Sequence, residues 1–140
     1  MRKFLFIFIL ISSFSFSQNI NSKFERTILN MDVLMQNNDE NIVQSFADDV
    51  SFGHSNGWIQ NKSDFIRDFK SKKVSYDTIR NIVFKEAKKS GKIYSIHRII
   101  QVAGSYKNIH FSMKLSTLEV WKKLQVKWKL WSRQSVELKP

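Results

Sequence analysis

Apolar residues recur at Ile20, Phe24, Ile28, Met31 and Met35, at steps of four, four, three and four. That spacing lays one stripe along a helix. Asn37-Asn38-Asp39 breaks the pattern, and Asp39 is placed to cap a second, short helix with Ile42, Val43 and Phe46 inward. Asp48-Asp49 then reads as helix termination. Val50, Phe52 and His54 alternate with Ser51, Gly53 and Ser55, which predicts a strand. Ser55-Asn56-Gly57 is a turn signal, and Trp58-Ile59-Gln60 a short returning strand. Asn61 or Ser63 can cap a third helix over Asp64 to Phe69, with Phe65, Ile66 and Phe69 on its apolar side.

From Tyr76 the period becomes two. Ile79, Asn81 and Val83 alternate with Tyr76, Thr78, Arg80, Ile82 and Phe84. Lys88-Lys89-Ser90-Gly91 turns the chain, and Ile93 to Val102 is a second long strand. Ala103-Gly104-Ser105 turns it again. Ile109 to Trp121 and Val126 to Leu138 follow, joined by Lys122 to Gln125. Hairpin-length connections make these strands antiparallel neighbours. Helices grouped before an antiparallel sheet predict an α+β domain, its curved sheet wrapped on the helices with a pocket at the open end.

The N-terminus stands apart. Met1-Arg2-Lys3 is basic, Phe4 to Ile11 is uncharged and apolar, and Ser12 to Ser17 is rich in small residues. This is the layout of an export signal, with cleavage expected before Gln18. The uncharged run to Ile20 is near the roughly 17-residue minimum for a membrane span, but its serine-rich second half favours removal. Residues 1–17 are thus expected to be a signal peptide and 18–140 a single domain, periplasmic or secreted, with no membrane contact after cleavage. Losing two basic residues lowers the net charge from +11 to +9. The absence of cysteine excludes disulfides, thiolate metal sites and thiol redox chemistry.

Chemistry-bearing residues are few. His54 ends an apolar strand face, where it could serve as base, acid or hydrogen-bond partner near neutral pH. His97 is ambiguous in direction, and His110 shares a polar face with Ser112 and Lys114. The three histidines lack metal-ligand spacing, so no metal is expected. Adjacent Asp48 and Asp49 diverge and make a poor acid/base pair. Glu119, next to Lys122 and Lys123, reads as a solvated ion pair. On the last strand Trp128, Leu130, Ser132 and Gln134 share one face, while Trp131 and Arg133 share the other. If the Trp128 face is the inner one, Gln134 reaches the pocket and Arg133 an interface. Lys62 either reaches back to the His54 turn or is an ordinary surface lysine. No nucleophile elbow, phosphate loop or dinucleotide fingerprint is present, and no cofactor is expected. The lysine-rich surplus falls mostly at loops and hairpin ends. Export and the scarcity of arginine argue against nucleic acid.

His54-Ser55-Asn56-Gly57, Lys62, Tyr76, Phe46-Ala47-Asp48-Asp49-Val50, Val120-Trp121 and Trp128-x-Leu130-x-x-x-Gln134 occur in an order that resembles the NTF2-like superfamily, in particular its DUF4440 branch. The resemblance spans Phe24 to Leu138. It implies a cone of three helices against a curved antiparallel sheet, and a homodimer through that sheet. It implies little about chemistry, because the superfamily holds isomerases, dehydratases, cyclases and non-catalytic modules. The two carboxyl groups of a ketosteroid isomerase site match no position here. The leading expectation is an exported domain binding a small, partly apolar molecule, with His54, Trp58, Tyr76, His97 and Gln134 lining the pocket. The alternatives are an isomerase or dehydratase with His54 as general base and Tyr76 as donor, or a dimeric interaction module without a ligand.

Overall fold

The structure, a computed structural model, describes residues 20–140. The expected signal peptide, residues 1–17, lies outside the described residues. Helix α1 covers Ser22–Gln36 and buries Phe24, Ile28, Met31 and Met35, the stripe read from the sequence. Asn21 caps it, its Oδ1 accepting from the amides of Lys23 and Phe24. A 3₁₀ turn, Glu40–Ser45, follows Asp39 and buries Ile42. Helix α2, Lys62–Lys70, is capped by Asn61 and buries Phe65 and Phe69.

Six strands form one sheet: β1 (Phe46–Gly53), β2 (Ile59–Gln60), β3 (Val74–Ser90), β4 (Ile93–Tyr106), β5 (Ile109–Leu124) and β6 (Lys127–Leu138). Their order is β2-β1-β6-β5-β4-β3. The hairpins from β3 to β6 are antiparallel as expected, whereas β1 pairs with β6 in parallel. The sheet is therefore mixed, correcting the all-antiparallel reading. The first strand adds to the edge left by the last, and that closure needs no hairpin. A second correction concerns Asp48 and Asp49. They lie within β1, exposed, with Lys62 Nζ 2.9 Å from Asp48 and Lys122 Nζ 2.9 Å from Asp49. Lys62 thus reaches Asp48 and the Phe46 carbonyl, away from the His54 turn. The third is Ala103-Gly104-Ser105, which stays inside β4; the chain turns at Lys107 and Asn108, both at positive φ.

The sheet bends by bulges. β3 carries three register shifts against β4, at Tyr76/Thr78, Asn81/Val83 and Phe84/Glu86. Each adds a residue and increases the local twist. The inward positions of β3 become Tyr76, Ile79, Asn81, Phe84 and Ala87, replacing strict alternation. β3 consequently curls around α1, and the concave face holds the core of Phe24, Ile28, Met31, Phe46, Phe52, Ile96, Trp121 and Leu130. Among the described residues no helix is long and apolar enough to cross a membrane.

Candidate functional site

Beyond α1 and α2 the concave face is uncovered, and the β1–β2 connection folds over it. The His54 amide donates to the Trp58 carbonyl at 2.8 Å, and Gly57 takes φ +86°, which a side chain disfavours. This tight return stacks the His54 imidazole on the Trp58 indole, with ring centres 4.6 Å apart. A cavity of about 430 Å³ opens beneath it. Val74, Val102, Phe111, Met113 and Leu115 give it apolar walls, and Tyr76, Arg133 and Ser135 reach it from the sheet. Trp58 and Tyr106 flank the mouth, with Lys73 Nζ within 6 Å of both rings.

A hydrogen-bonded chain holds His54. Its Nε2 lies 2.7 Å from Gln60 Oε1, and Gln60 Nε2 donates to Asp68 Oδ2 at 2.9 Å. Asp68 is buried; burial pushes its carboxyl upward, but Arg67, Lys73 and Gln60 outweigh that and hold it below the usual carboxylate range. An ionised carboxylate only accepts, so the Gln60 amide must turn its NH₂ to Asp68 and its oxygen to His54. His54 Nε2 therefore carries the proton, and Nδ1 keeps the free lone pair. Burial lowers the His54 pKa, the Gln60 bond opposes this, and the charge of Arg133 adds to the lowering. The ring is neutral at neutral pH.

The sign of the resulting pH effect is fixed. Below its ordinary 6.5 the unfolded chain protonates His54 while the folded chain resists, so the unfolded state binds more protons. Stability is expected to fall as pH drops below about 6.5 and to be fully present above it. Urea melts of His54→Gln should show that part of the profile flattened; an unchanged slope would contradict a buried neutral His54.

Tyr76 is buried, and burial raises its hydroxyl pKa against the opposing pull of the Arg133 guanidinium. The hydroxyl stays protonated and can donate. Of the residues read from the sequence, the fold brings His54, Trp58 and Tyr76 to this cavity, with His110 at its rim. It places the other two elsewhere. His97 is exposed on the convex face, its Nε2 2.7 Å from Ser116 Oγ. Gln134 is also outside: its Nε2 donates to the His54 carbonyl at 3.2 Å and its side chain lies over Gly53.

A bulge explains Gln134. β5 pairs Trp121 with Leu130 but Val120 with Ser132, which leaves Trp131 as the extra residue. Trp128 and Leu130 face the core as one of the two readings required. Past the bulge the faces exchange, and Arg133 and Ser135 point inward. Arg133 is only 7% exposed, its guanidinium carbon 4.5 Å from the Phe52 ring centre.

The sequence reading also missed a buried ionic cluster below the cavity. Arg98 donates to both Asp32 oxygens, at 2.6 and 2.8 Å, and through Nε to Glu119 Oε2 at 2.6 Å. Trp121 Nε1 donates to Glu119 Oε1 at 3.1 Å. Glu119 is thus wholly buried, which corrects its reading as a solvated partner of Lys122 and Lys123. A second depression, about 630 Å³, lies at the other end near Trp128. Lys23, Lys89, Lys123, Lys127 and Lys129 border it, which accounts for part of the basic surplus. Its lining holds no buried polar group like Arg133 and Ser135 of the first cavity.

A scan of protein-family models finds none that matches the chain, and no curated protein matches it. Solved structures do. An NTF2-like protein from Cytophaga hutchinsonii is 19% identical, covering 85% of this chain and 100% of its own, with TM-score 0.73. One from Rhodospirillum rubrum, described as of unknown function in nutrient uptake, is 16% identical, covering 86% and 100%, with TM-score 0.74. A ketosteroid isomerase-like protein from Erwinia carotovora atroseptica is 11% identical, covering 83% and 94%, with TM-score 0.67. At such identities the likeness is one of fold, and the fold of this chain is NTF2-like.

Proposed function

We propose that this chain, an NTF2-like fold, binds a small, partly apolar molecule in the cavity under the β1–β2 turn. The carrying observation is the convergence there of aromatic and aliphatic walls with the inward polar groups His54, Tyr76, Arg133 and Ser135, more exposed polar residues such as Asn56, His110 and Glu137 standing at the rim. The protein is exported by residues 1–17 and works in the periplasm or outside the cell, where such a molecule is met free. A second copy covers the convex sheet face, where Leu118, Val136 and Trp131 are 47%, 59% and 38% exposed. Native mass spectrometry of the purified protein tests the binding. An added mass of a few hundred daltons, retained natively, lost on denaturation and absent from Trp58→Ala, is the expected result. A clean protein mass, together with no shift of cavity resonances across a fragment library, would refute it.

A second reading follows from the His54-Gln60-Asp68 chain. A neutral imidazole with a fixed tautomer and a free Nδ1, facing the same cavity as a protonated tyrosine, has the elements of a general base and a donor. The reaction would be proton abstraction of the isomerase or dehydratase type. It predicts uptake of solvent deuterium into the captured ligand, abolished in His54→Gln. No uptake leaves binding as the sole activity.

A further inference from the structure

We propose that the cavity selects a ligand carrying a carboxylate, seated on the Arg133 guanidinium and the Ser135 hydroxyl with its apolar part toward Trp58 and Tyr106. This rests on the binding function proposed above and names its ligand class.

Arg133 and Ser135 are 7% and 2% exposed, and both line the cavity floor. Successive inward positions of β6 place them side by side past the Trp131 bulge. The Ser135 hydroxyl is buried with no hydrogen-bond partner among the described residues. Such groups are uncommon, because an unsatisfied buried polar atom is costly. Arg133 forms no ion pair among the described residues, although Glu119 stands opposite it across β5 and β6. Glu119 and Asp32 are already engaged: Arg98 takes both Asp32 oxygens, and Arg98, Trp121 and Thr117 take those of Glu119. Their charges offset the buried cation at a distance, and the Tyr76 hydroxyl accepts from the guanidinium, which leaves its remaining N–H donors without a carboxylate. Glu137, at the cavity rim, is paired with Lys139 at 3.1 Å.

The floor therefore offers a planar fork of donors and one hydroxyl to something from outside. A guanidinium fork matches the two oxygens of a carboxylate in geometry and charge. The Tyr76 hydroxyl adjoins the same guanidinium and supplies a further donor. Above the floor the walls are apolar, so the rest of the ligand is hydrocarbon or aromatic. An uncharged amide would fill the same space yet forgo the charge-assisted pairing.

The test uses benzoate, phenylacetate and 4-phenylbutyrate, each beside its primary amide, titrated by calorimetry and by NMR of the cavity residues. At least one acid is expected to bind at least about tenfold more tightly than its amide. Arg133→Gln should remove that preference. Because Arg133 offsets buried carboxylates and its loss also costs stability, Ser135→Ala is the second variant. Deleting an unpartnered hydroxyl leaves the fold intact, and it should weaken the acid several-fold while leaving the amide unchanged. Equal binding of acids and amides by the unaltered protein overturns the carboxylate inference and leaves the binding function standing. An acid preference that persists in both variants places the anion elsewhere and likewise overturns it. No perturbation of cavity residues by any of the six compounds overturns the carboxylate inference, while the binding function stands or falls on the native mass measurement.

Discussion

Replacing Arg98 with methionine is expected to lower the unfolding free energy by about 3–5 kcal/mol, the usual loss when one member of a buried ion pair is removed. Against a total of about 5–15 kcal/mol for an ordinary domain, that leaves the chain marginal. The physical cause is the pair of carboxylates left behind. Asp32 and Glu119 are buried on α1 and β5, and Arg98 is hydrogen-bonded to both. Without it, two like charges share an apolar interior. Changing Asp32 and Glu119 to leucine and glutamine alongside Arg98→Met should recover much of the loss, since apolar replacement of a whole buried cluster is often neutral. Urea midpoints check both. A loss below about 1 kcal/mol in Arg98→Met would match an exposed pair and contradict this burial. The cluster also has its own pH sign. Burial holds the Asp32 carboxyl above its usual range, with Arg98 opposing. Its contribution is present at low pH and shrinks as pH rises past the unfolded value of 3.8. Asp48 and Asp49, lowered by their bonds to Lys62 and Lys122, have the opposite dependence and lose theirs as pH falls.

Part of this cluster was legible in the sequence. On β4 the inward positions are Tyr94, Ile96, Arg98, Ile100 and Val102, so simple alternation puts Arg98 in an apolar row. Asp32 adjoins the α1 stripe, and Glu119 alternates with Leu115, Thr117 and Trp121. The three could have been matched by face and charge. Lys122 and Lys123 misdirected the reading of Glu119: Lys122 falls on the opposite face, and Lys123 is exposed at the strand's end beyond Trp121. Helices, hairpins and the His54 turn followed from periodicity and caps, which act within a few residues. What alternation could not supply was the bulges. Nothing at Trp131, neither glycine nor proline, marks the extra residue that turns Arg133 inward and Gln134 outward. A bulge arises from curvature imposed by packing, and one such residue reverses every position after it. The parallel join of β1 to β6 is equally nonlocal: it depends on which edge remains free once the hairpins have formed. The most buried polar groups of the candidate site were thus the least readable.

Gly104→Ala is expected to cost about 1–3 kcal/mol or somewhat more, and to impair the cavity along with the fold. The sequence invited a turn at this glycine, but a glycine inside a strand also marks a close approach of another backbone. Gly104 pairs with Tyr76 on β3 and Phe111 on β5, at the first β3 bulge. A Cβ there would overlap the Ser75 carbonyl oxygen and stand 3.0 Å from both the Tyr76 Cα and the Phe111 ring. Carbonyl and Cα belong to the backbone, so no rotamer change relieves the clash. β3 must move away from β4 at the point where its bulge presses Tyr76 into the cavity. Tyr76 and Phe111, now edge to face with ring centres 6.1 Å apart, would separate. A lowered urea midpoint should therefore accompany weakened capture of the ligand mass in native spectra. Ala103→Ser, one residue away and facing outward, is the control expected to alter neither. If Gly104→Ala kept the wild-type midpoint and full ligand capture, β3 would not be held against β4 by the missing side chain, and the placement of Tyr76 would need another cause.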